Sequence, residues 1–378
     1  MSYYRDTYAE IDLDAITYNV KQIKKIHPDK TIFAVVKANG YGHGDYEVAK
    51  AAVGAGADFL AVSALDEALF LRQQGIIHPI LVLGMTRLKD VHVAAEQGIS
   101  LTAHDEEWIK ALVLMFFELP LSVHLKIDTG MHRLGLMEKD GIASCFKVLD
   151  QHEMIKVEGI YTHMSTADCD LGYLGNQLSA FKEILKSLEL EHVPYVHVEN
   201  TATLLQFNYD FDQGIRLGLG MYGINPDDEF IPLDFRLKPA LKLFSHLTQV
   251  KYISKGCKVG YGATYEAEED HWLGVVPIGY ADGWIREHQG RSVVVNGSEC
   301  EIIGRVCMDQ MMIRLPKKVS MGTKVELIGE QMPVERIARE LGTISYEVLC
   351  LISDRVPRVY YQNHEQVGIR KMRFEQLS

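Results

Sequence analysis

The chain has 378 residues, 47% of them hydrophobic and 24% charged, with a formal net charge of -12 at pH 7. That length is too great for one small core and predicts two domains, or one barrel with an addition, while the acidic balance argues against a nucleic-acid or anionic-membrane surface. Six cysteines (Cys145, Cys169, Cys257, Cys300, Cys307, Cys350) are scattered without close pairing, which fits neither a disulfide framework nor a zinc site and points to reduced thiols in the cytoplasm, with no metal expected.

Residues Met1 to Asp6 are polar and show no apolar stretch of the secretory kind, so no leader is expected. A short strand-like run, Ala9-Glu10-Ile11-Asp12, comes next and suits a sheet in either domain. From about residue 30 to residue 225, short apolar runs alternate with helical patterns. The runs are 32–36, 59–63, 79–83, 100–102, 122–126, 157–162, 195–199 and 215–217. Several are apolar throughout, as strands covered on both faces are. The apolar run 111–121 is interrupted by Glu118 and Pro120 and is too short to cross a bilayer. Between two of the strands, Leu178, Phe181, Leu185 and Leu188 share one helical face. Eight strand–helix units in this length predict a (β/α)8 barrel rather than an open doubly wound sheet. A linker rich in prolines and acids follows, Pro226-Asp227-Asp228-Glu229-Phe230-Ile231-Pro232, ending near Pro239. Beyond it the period changes to two, with an Asn296-Gly297 hairpin turn and helical spacing only at 334–341. The expected fold is α/β, with a barrel domain over 1–238 and a mainly β domain over 239–378.

Barrel enzymes place their chemistry at the C-terminal ends of the strands. The polar residues found there are Lys37, Lys126 with Arg133, His163, His197 with Asn200 and Thr201, and Arg216. The first of these ends reads Ala34-Val35-Val36-Lys37-Ala38-Asn39-Gly40-Tyr41-Gly42-His43-Gly44. A lysine at a strand mouth, half shielded from water, loses its proton more readily than a surface lysine, as an imine-forming lysine must. The glycine-rich loop behind it offers backbone N–H groups and a tyrosine hydroxyl to an anion.

Further motifs follow in order: Lys126-Ile127-Asp128-Thr129-Gly130-Met131-His132-Arg133-Leu134-Gly135, Arg216-Leu217-Gly218-Leu219-Gly220-Met221-Tyr222-Gly223, Val259-Gly260-Tyr261-Gly262-Ala263-Thr264-Tyr265, Pro277-Ile278-Gly279-Tyr280-Ala281-Asp282-Gly283 and Gly304-Arg305-Val306-Cys307-Met308-Asp309-Gln310. Together with the opening segment they resemble the alanine racemases, pyridoxal-phosphate enzymes of fold type III, over nearly the whole chain. The resemblance implies interconversion of L- and D-alanine by two-base proton transfer, supplying D-alanine for peptidoglycan. A racemase acting on serine or a broader range of amino acids is the alternative within the family.

The resemblance also implies roles. Lys37 would hold the pyridoxal phosphate covalently and act as one base, with Tyr261 as the other. Tyr41, Asn200, Thr201, Gly218, Leu219 and Tyr346 would contact the phosphate or its surroundings. Arg216 would face the pyridine nitrogen. An arginine has only donors and is always charged, so it disfavours a protonated ring and limits carbanion delocalisation. His163, with Arg216 beyond it, would favour the Tyr261 phenolate, since a free phenol has a pKa of about 10. Arg133 and the Met308 backbone would meet the substrate carboxylate. Lys126 matches a position that carries a carbamate in many relatives; a lysine ion pair is the other reading. Tyr265, Tyr280 and Asp309 would support or line the site. The site is expected at a homodimer interface, with the Tyr261 and Met308 motifs lent by the second subunit.

The chain departs from the family pattern at Leu217 (often proline), Met164 (often phenylalanine), His132 (glycine) and Thr201 (serine), without losing a functional group. A metal-dependent hydrolase using Lys126, His163 and His197 lacks the His-x-His pair on the first strand. A non-enzymatic pyridoxal-phosphate carrier would lack the second domain. A decarboxylase of the same fold type would set a carboxylate, not Arg216, against the pyridine nitrogen.

Overall fold

The computed structural model describes residues 3–227 and 230–371; Asp228 and Glu229 of the expected linker, and residues 1–2 and 372–378 of the two expected domains, lie outside the described residues. The chain divides into two compact units, one of residues 16–40 and 45–238, the other of 1–15, 41–44 and 239–378.

A first strand, β1 (Tyr8–Asp12), belongs to the second of these units. The first unit is a closed barrel of eight parallel strands: β2 (Thr31–Val35), β3 (Phe59–Val62), β4 (Ile80–Val82), β5 (Ile99–Ala103), β6 (Leu121–Lys126), β7 (Ile155–Tyr161), β8 (Tyr195–Glu199) and β9 (Gly214–Leu217). Each strand pairs with the next, and β9 closes on β2 with Thr31 opposite Gly214 and Phe33 opposite Arg216. All eight apolar runs of the sequence become strands, because helices cover one face and packed side chains the other, and both faces must be apolar. The helix Leu171–Leu185 buries Leu174, Gln177, Phe181 and Ile184. Its inner face is therefore turned from the expected one: Leu178 and Leu185 are only half-buried, and Leu188 lies past the helix end.

The second unit is built on a ten-stranded sheet. Its order is Gln249–Ile253, His271–Val276, Met311–Leu315, Ser298–Ile303, Ser292–Val295, Lys324–Ile328, Leu241–His246, β1, Arg358–Gln362 and Glu365–Arg370. The Asn296-Gly297 turn joins Ser292–Val295 to Ser298–Ile303 with φ positive at both residues (49° and 76°), the geometry that matches strand twist in a two-residue hairpin. Two stretches expected within 1–238 pack here instead. β1 pairs antiparallel with Leu241–His246 and parallel with Arg358–Gln362, since a lone strand needs partners for its N–H and C=O groups. Residues 41–44 are held by Arg358, only 1% exposed, whose Nε–H donates to the Gly42 carbonyl at 2.9 Å.

The barrel unit contains one buried ion cluster. Lys30, just before β2, donates from Nζ to Glu199 Oε1 at 2.6 Å and to Asp212 Oδ1 at 2.5 Å. One cation faces two carboxylates, and Glu199 Oε2 and Asp212 Oδ2 are buried without a hydrogen-bond partner. Burial, and then the Glu199 charge, push Asp212 up from 3.8 to about 6. Between those values the folded protein holds a proton that the unfolded chain releases, so this site's contribution to stability falls as pH rises from about 4 to about 6. Asp212→Asn is expected to flatten that slope in urea unfolding followed against pH. Lys30→Met, which strands two carboxylates, is expected to cost about 3–5 kcal/mol in the same measurement.

Candidate active site

The turn after β2 is left-handed. Ala38, Asn39, Gly40 and Tyr41 all have φ between 50° and 57°, a conformation that costs an L-residue roughly 1–2 kcal/mol. Such strain persists only where surrounding structure over-determines it, and it clusters at functional sites. Three hydrogen bonds hold the turn on the barrel side. The Gly40 N–H donates to the Val36 carbonyl (2.9 Å), the Ala38 N–H to Glu67 Oε1 (2.7 Å) and the Asp45 N–H to Asn39 Oδ1 (3.3 Å). Glu67 also accepts from Ser63 N–H and Ala64 N–H. It therefore ties the peptide after Lys37 to the end of β3. Sequence reasoning missed Glu67, though its place three residues after the N-cap, Ala64, is a capping-box position.

Arg216 on β9 is 3% exposed. Its Nη1 donates to the His197 carbonyl (2.9 Å) and His197 Nδ1 (2.8 Å); its Nη2 donates to the carbonyls of Thr162 (2.7 Å) and Val198 (3.0 Å) and to His163 Nδ1 (3.3 Å). These five contacts leave Nε–H as the remaining donor. Burial lowers the guanidinium to about 10, so it stays charged. The charge acts on its neighbours. His163 is held well below the ordinary histidine value by burial and by Arg216, Lys126, Arg133 and Lys37 in that order. With Nδ1 accepting from Arg216, the neutral His163 ring carries its proton on Nε2. Lys126, at the end of β6, donates to the Ile127 carbonyl at 2.7 Å, and burial followed by the Arg216 charge brings it down to about 7. The barrel thus gathers Lys37, Lys126, Arg133, His163 and Arg216 in one electrostatic neighbourhood. Because both His163 and His197 accept from a guanidinium, the set is arranged for an anion rather than a metal cation.

Arg133 stands exposed on the loop after β6, which turns on Asp128: its Oδ1 accepts from Gly130 N–H (2.9 Å) and His132 N–H (3.0 Å). His132 has φ 53°, so the glycine slot it fills keeps the left-handed backbone of a glycine. Gln177, 1% exposed, braces this loop. Its Nε2 donates to Thr129 Oγ1 and to the His163 carbonyl, and its Oε1 accepts from Ser165 N–H and Oγ–H. Gln177 is a second residue that sequence reasoning missed, and the signal was available: a polar side chain in the apolar stripe of a helix.

Past β8, the Asn200 side chain caps the helix Thr201–Leu204 by accepting from Thr203 N–H, and its Nδ2 donates to the Met164 carbonyl. Both ends of Asn200 are thus engaged in placing the start of that helix. Thr201 Oγ1 accepts from the N–H groups of Gly218 (3.0 Å) and Gly220 (3.4 Å). Its own O–H is left to donate, beside the turn that begins at Leu219. This donor set fits a phosphate, and a charged donor at Arg216 fits an unprotonated ring nitrogen.

In the second unit, the Tyr41 and Tyr346 rings lie 5.7 Å apart. Burial, and then Tyr346, hold the Tyr41 hydroxyl well above the ordinary tyrosine value, so it remains a donor. Tyr261 is 72% exposed, with Tyr280 and Met308 also exposed. The segments carrying Tyr280 and Met308 lie against each other: Tyr280 N–H donates to the Cys307 carbonyl (3.1 Å) and Ala281 N–H to the Met308 carbonyl (3.0 Å). A Cβ on Gly279 would overlap both carbonyls, so only glycine permits this approach. Buried Asp282 anchors the pair through Arg5 (2.7 Å), and Arg355 joins it to Asp309 (2.7 Å). The Tyr265 ring packs against the cluster of Val259, Leu273 and Ile303, and its hydroxyl lies 3.4 Å from His271 Nε2.

Gln177→Leu is expected to lower stability by about 1–3 kcal/mol in urea unfolding, because it removes the buried amide that bonds Thr129, His163 and Ser165.

Comparison with known proteins accounts for both units. The model of the alanine racemase N-terminal domain matches residues 11–226, and that of the C-terminal domain matches 240–360. The alanine racemase of Anoxybacillus flavithermus is 47% identical over 98% of each chain. The crystal structure of alanine racemase from Bacillus anthracis with bound L-Ala-P superposes with a TM-score of 0.94 at 42% identity, covering 98% of each chain. A histidine racemase from Leuconostoc mesenteroides superposes with a TM-score of 0.87 at 32% identity over 96% of this chain and 99% of that one. Both units are thus matched over nearly their whole length: this chain belongs to the alanine racemase family of isomerases.

Proposed function

We propose that this protein interconverts L- and D-alanine with pyridoxal 5'-phosphate, with domains over 1–238 and 239–378, the β-domain residues of each site being lent by a second copy. The observation that carries the reading is the buried Arg216, a permanent donor set between two neutral histidines in the neighbourhood of Lys37. Bound pyridoxal phosphate supplies the electron sink that makes the substrate Cα–H removable. The chain supplies the rest. Lys37 would hold the coenzyme covalently, and its amine would move the proton on one face. Tyr41, Thr201 and Tyr346, with the Leu219 backbone and the helix start placed by Asn200, would hold the phosphate, the Gly218 N–H acting through the Thr201 hydroxyl that it bonds or by turning from it to the anion. Arg216 meets the ring nitrogen with a donor and so keeps it unprotonated.

Tyr261 moves the proton on the other face. Its partner is His163, whose Nε2–H donates to the phenolate and favours it. Arg133 and the Met308 N–H take the substrate carboxylate. The Cys307 carbonyl, which shares a peptide plane with the Met308 N–H, already accepts from Tyr280 N–H, and that turns the Met308 N–H the other way. Lys126 is read as a carbamate: an amine neutral near pH 7 reacts with carbon dioxide, and the anion formed is stabilised by Arg216 and Arg133. Tyr280 and Asp309 line the entrance, and Tyr265 supports the Tyr261 loop from behind. A base that is 72% exposed in the single chain needs a second body to desolvate it. Support for a homodimer with shared sites lies there, with Tyr261 and Met308 lent by the second copy. No helix among the described residues is long and apolar enough to cross a membrane, which agrees with a cytoplasmic enzyme making D-alanine for peptidoglycan. A broader amino-acid range, serine included, is the second reading; the structural likeness to a histidine racemase favours it, and small side chains are poorly discriminated by apolar pockets.

Purified protein incubated with single enantiomers of alanine in deuterated water is expected to invert them with isotope uptake at Cα; retention of configuration without exchange would overturn the proposal. Lys37→Ala is expected to abolish activity and borohydride-fixable coenzyme together. Tyr261→Phe is expected to slow exchange mainly from one enantiomer, and mixing the two inactive variants is expected to restore activity in hybrid dimers.

A further inference from the structure

We propose that Glu158 and His124 are positioning residues for Arg216, acting through His197 as a one-way hydrogen-bond relay inside the barrel. The proposal rests on the reading above that Arg216 faces the ring nitrogen of pyridoxal phosphate.

The relay has four links. Arg216 Nη1 lies 2.8 Å from His197 Nδ1, His197 Nε2 lies 2.9 Å from His124 Nδ1, and His124 Nε2 lies 3.3 Å from Glu158 Oε2. Ser100 Oγ donates to the same carboxylate oxygen at 2.6 Å. The direction follows from the first donor. A guanidinium has no acceptor, so His197 Nδ1 must accept. The His197 proton is then on Nε2 and is given to His124 Nδ1. The His124 proton is in turn on Nε2 and is given to Glu158. Burial and the Arg216 charge hold both imidazoles below the ordinary histidine value, so both are neutral.

The barrel is distorted to build this chain. In the pairing of β6 with β7, Val123 faces Val157 and His124 faces Gly159, which makes Glu158 the extra residue of a bulge. In the pairing of β8 with β9, His197 faces Gly214 and Glu199 faces Ile215, which makes Val198 the extra residue of another. Bulges re-aim side chains and backbone groups. The first serves the Glu158 carboxylate, and the second lets the His197 and Val198 carbonyls both reach Arg216. A Cβ on Gly159 would overlap the His124 ring. The His197 ring is stacked between Phe33 (4.8 Å) and Tyr161 (4.6 Å), and both histidines are fully buried. Barrel interiors are ordinarily filled by branched apolar side chains. Here the interior carries a paired polar file from Arg216 to Ser100, the second residue of β5.

The carboxylate's work is to fix both tautomers. Without an acceptor for its Nε2–H, His124 loses its reason to leave Nδ1 unprotonated. A proton on Nδ1 would confront His197 Nε2–H, and the reversal would pass on to a donor facing Arg216 Nη1. The guanidinium then turns, and with it the remaining Nε–H.

The test uses the holoenzyme labelled with 15N-histidine. Two-bond 1H–15N spectra, assigned with His124→Phe and His197→Gln, are expected to show the proton on Nε2 of both rings in the natural protein. In Glu158→Leu it is expected to move to Nδ1 of His197, with a shifted coenzyme absorption band and kcat down about tenfold at an alanine KM little changed, the size of a misaligned group. Glu158→Gln, which keeps an acceptor oxygen, is expected to restore the tautomers, the band and most of kcat. Should Glu158→Leu fail to fold, His124→Phe breaks the relay one link on and is expected to give the same band shift. An Nδ1 proton on either ring of the natural protein overturns the relay. Reversed tautomers with an unchanged band and kcat overturn its role in positioning Arg216. Arg216→Lys is the separate control: if the band ignores that change too, the reading that Arg216 faces the ring nitrogen has failed, while the tautomers still report on the relay.

Discussion

A buried guanidinium with no contacting carboxylate among the described residues is the constraint around which the barrel is arranged. Arg216 gives its Nη hydrogens to three carbonyls and two imidazoles. Its positive charge is spread over dipoles and is not cancelled by an ion pair. That choice keeps the charge available to its surroundings, and the effect is visible on Lys126 and on His163, both pushed toward their neutral forms. A directly bonded carboxylate would stabilise the arginine more simply, but it would also mask the field that adds to burial in lowering the lysine and the histidine.

The β unit solves a different problem. Tyr261, Tyr280 and Met308 are exposed, on loops with little apolar cover of their own. Such loops need a fixed scaffold if a backbone N–H is to be aimed. Asp282 provides it by accepting from Arg5 and from the Gly279 N–H (3.1 Å), and the close approach at Gly279 locks the Cys307–Met308 peptide through Tyr280 N–H and the next one through Ala281 N–H. Precision in these loops comes from hydrogen bonds and one missing Cβ, whereas in the barrel it comes from burial.

Much of the molecule was legible in the chain. The eight apolar runs, the Asn296-Gly297 turn and the strand-end positions of Lys37, Lys126, His163 and Arg216 are local signals, set by side-chain polarity and backbone preference over a few residues. The left-handed turn after Lys37 was harder to read, because Ala38 does not ask for positive φ and takes it only under the restraint of Glu67 and neighbouring backbone. The rotated face of the helix Leu171–Leu185 has a similar cause. An apolar stripe predicted from leucines alone passes over Gln177, which is buried because three loop residues need its amide.

The amino-acid sequence by itself determined which elements form and which residue types stand at the strand ends, since periodicity and turn chemistry act over short distances. The tertiary structure alone decided that β1 and residues 41–44 pack with the β unit, that Asn200 serves as a helix cap, and that Glu158 reaches inward from a bulge. Each of these depends on register between strands far apart in the chain, and a shift of one residue reverses the face on which a side chain lies.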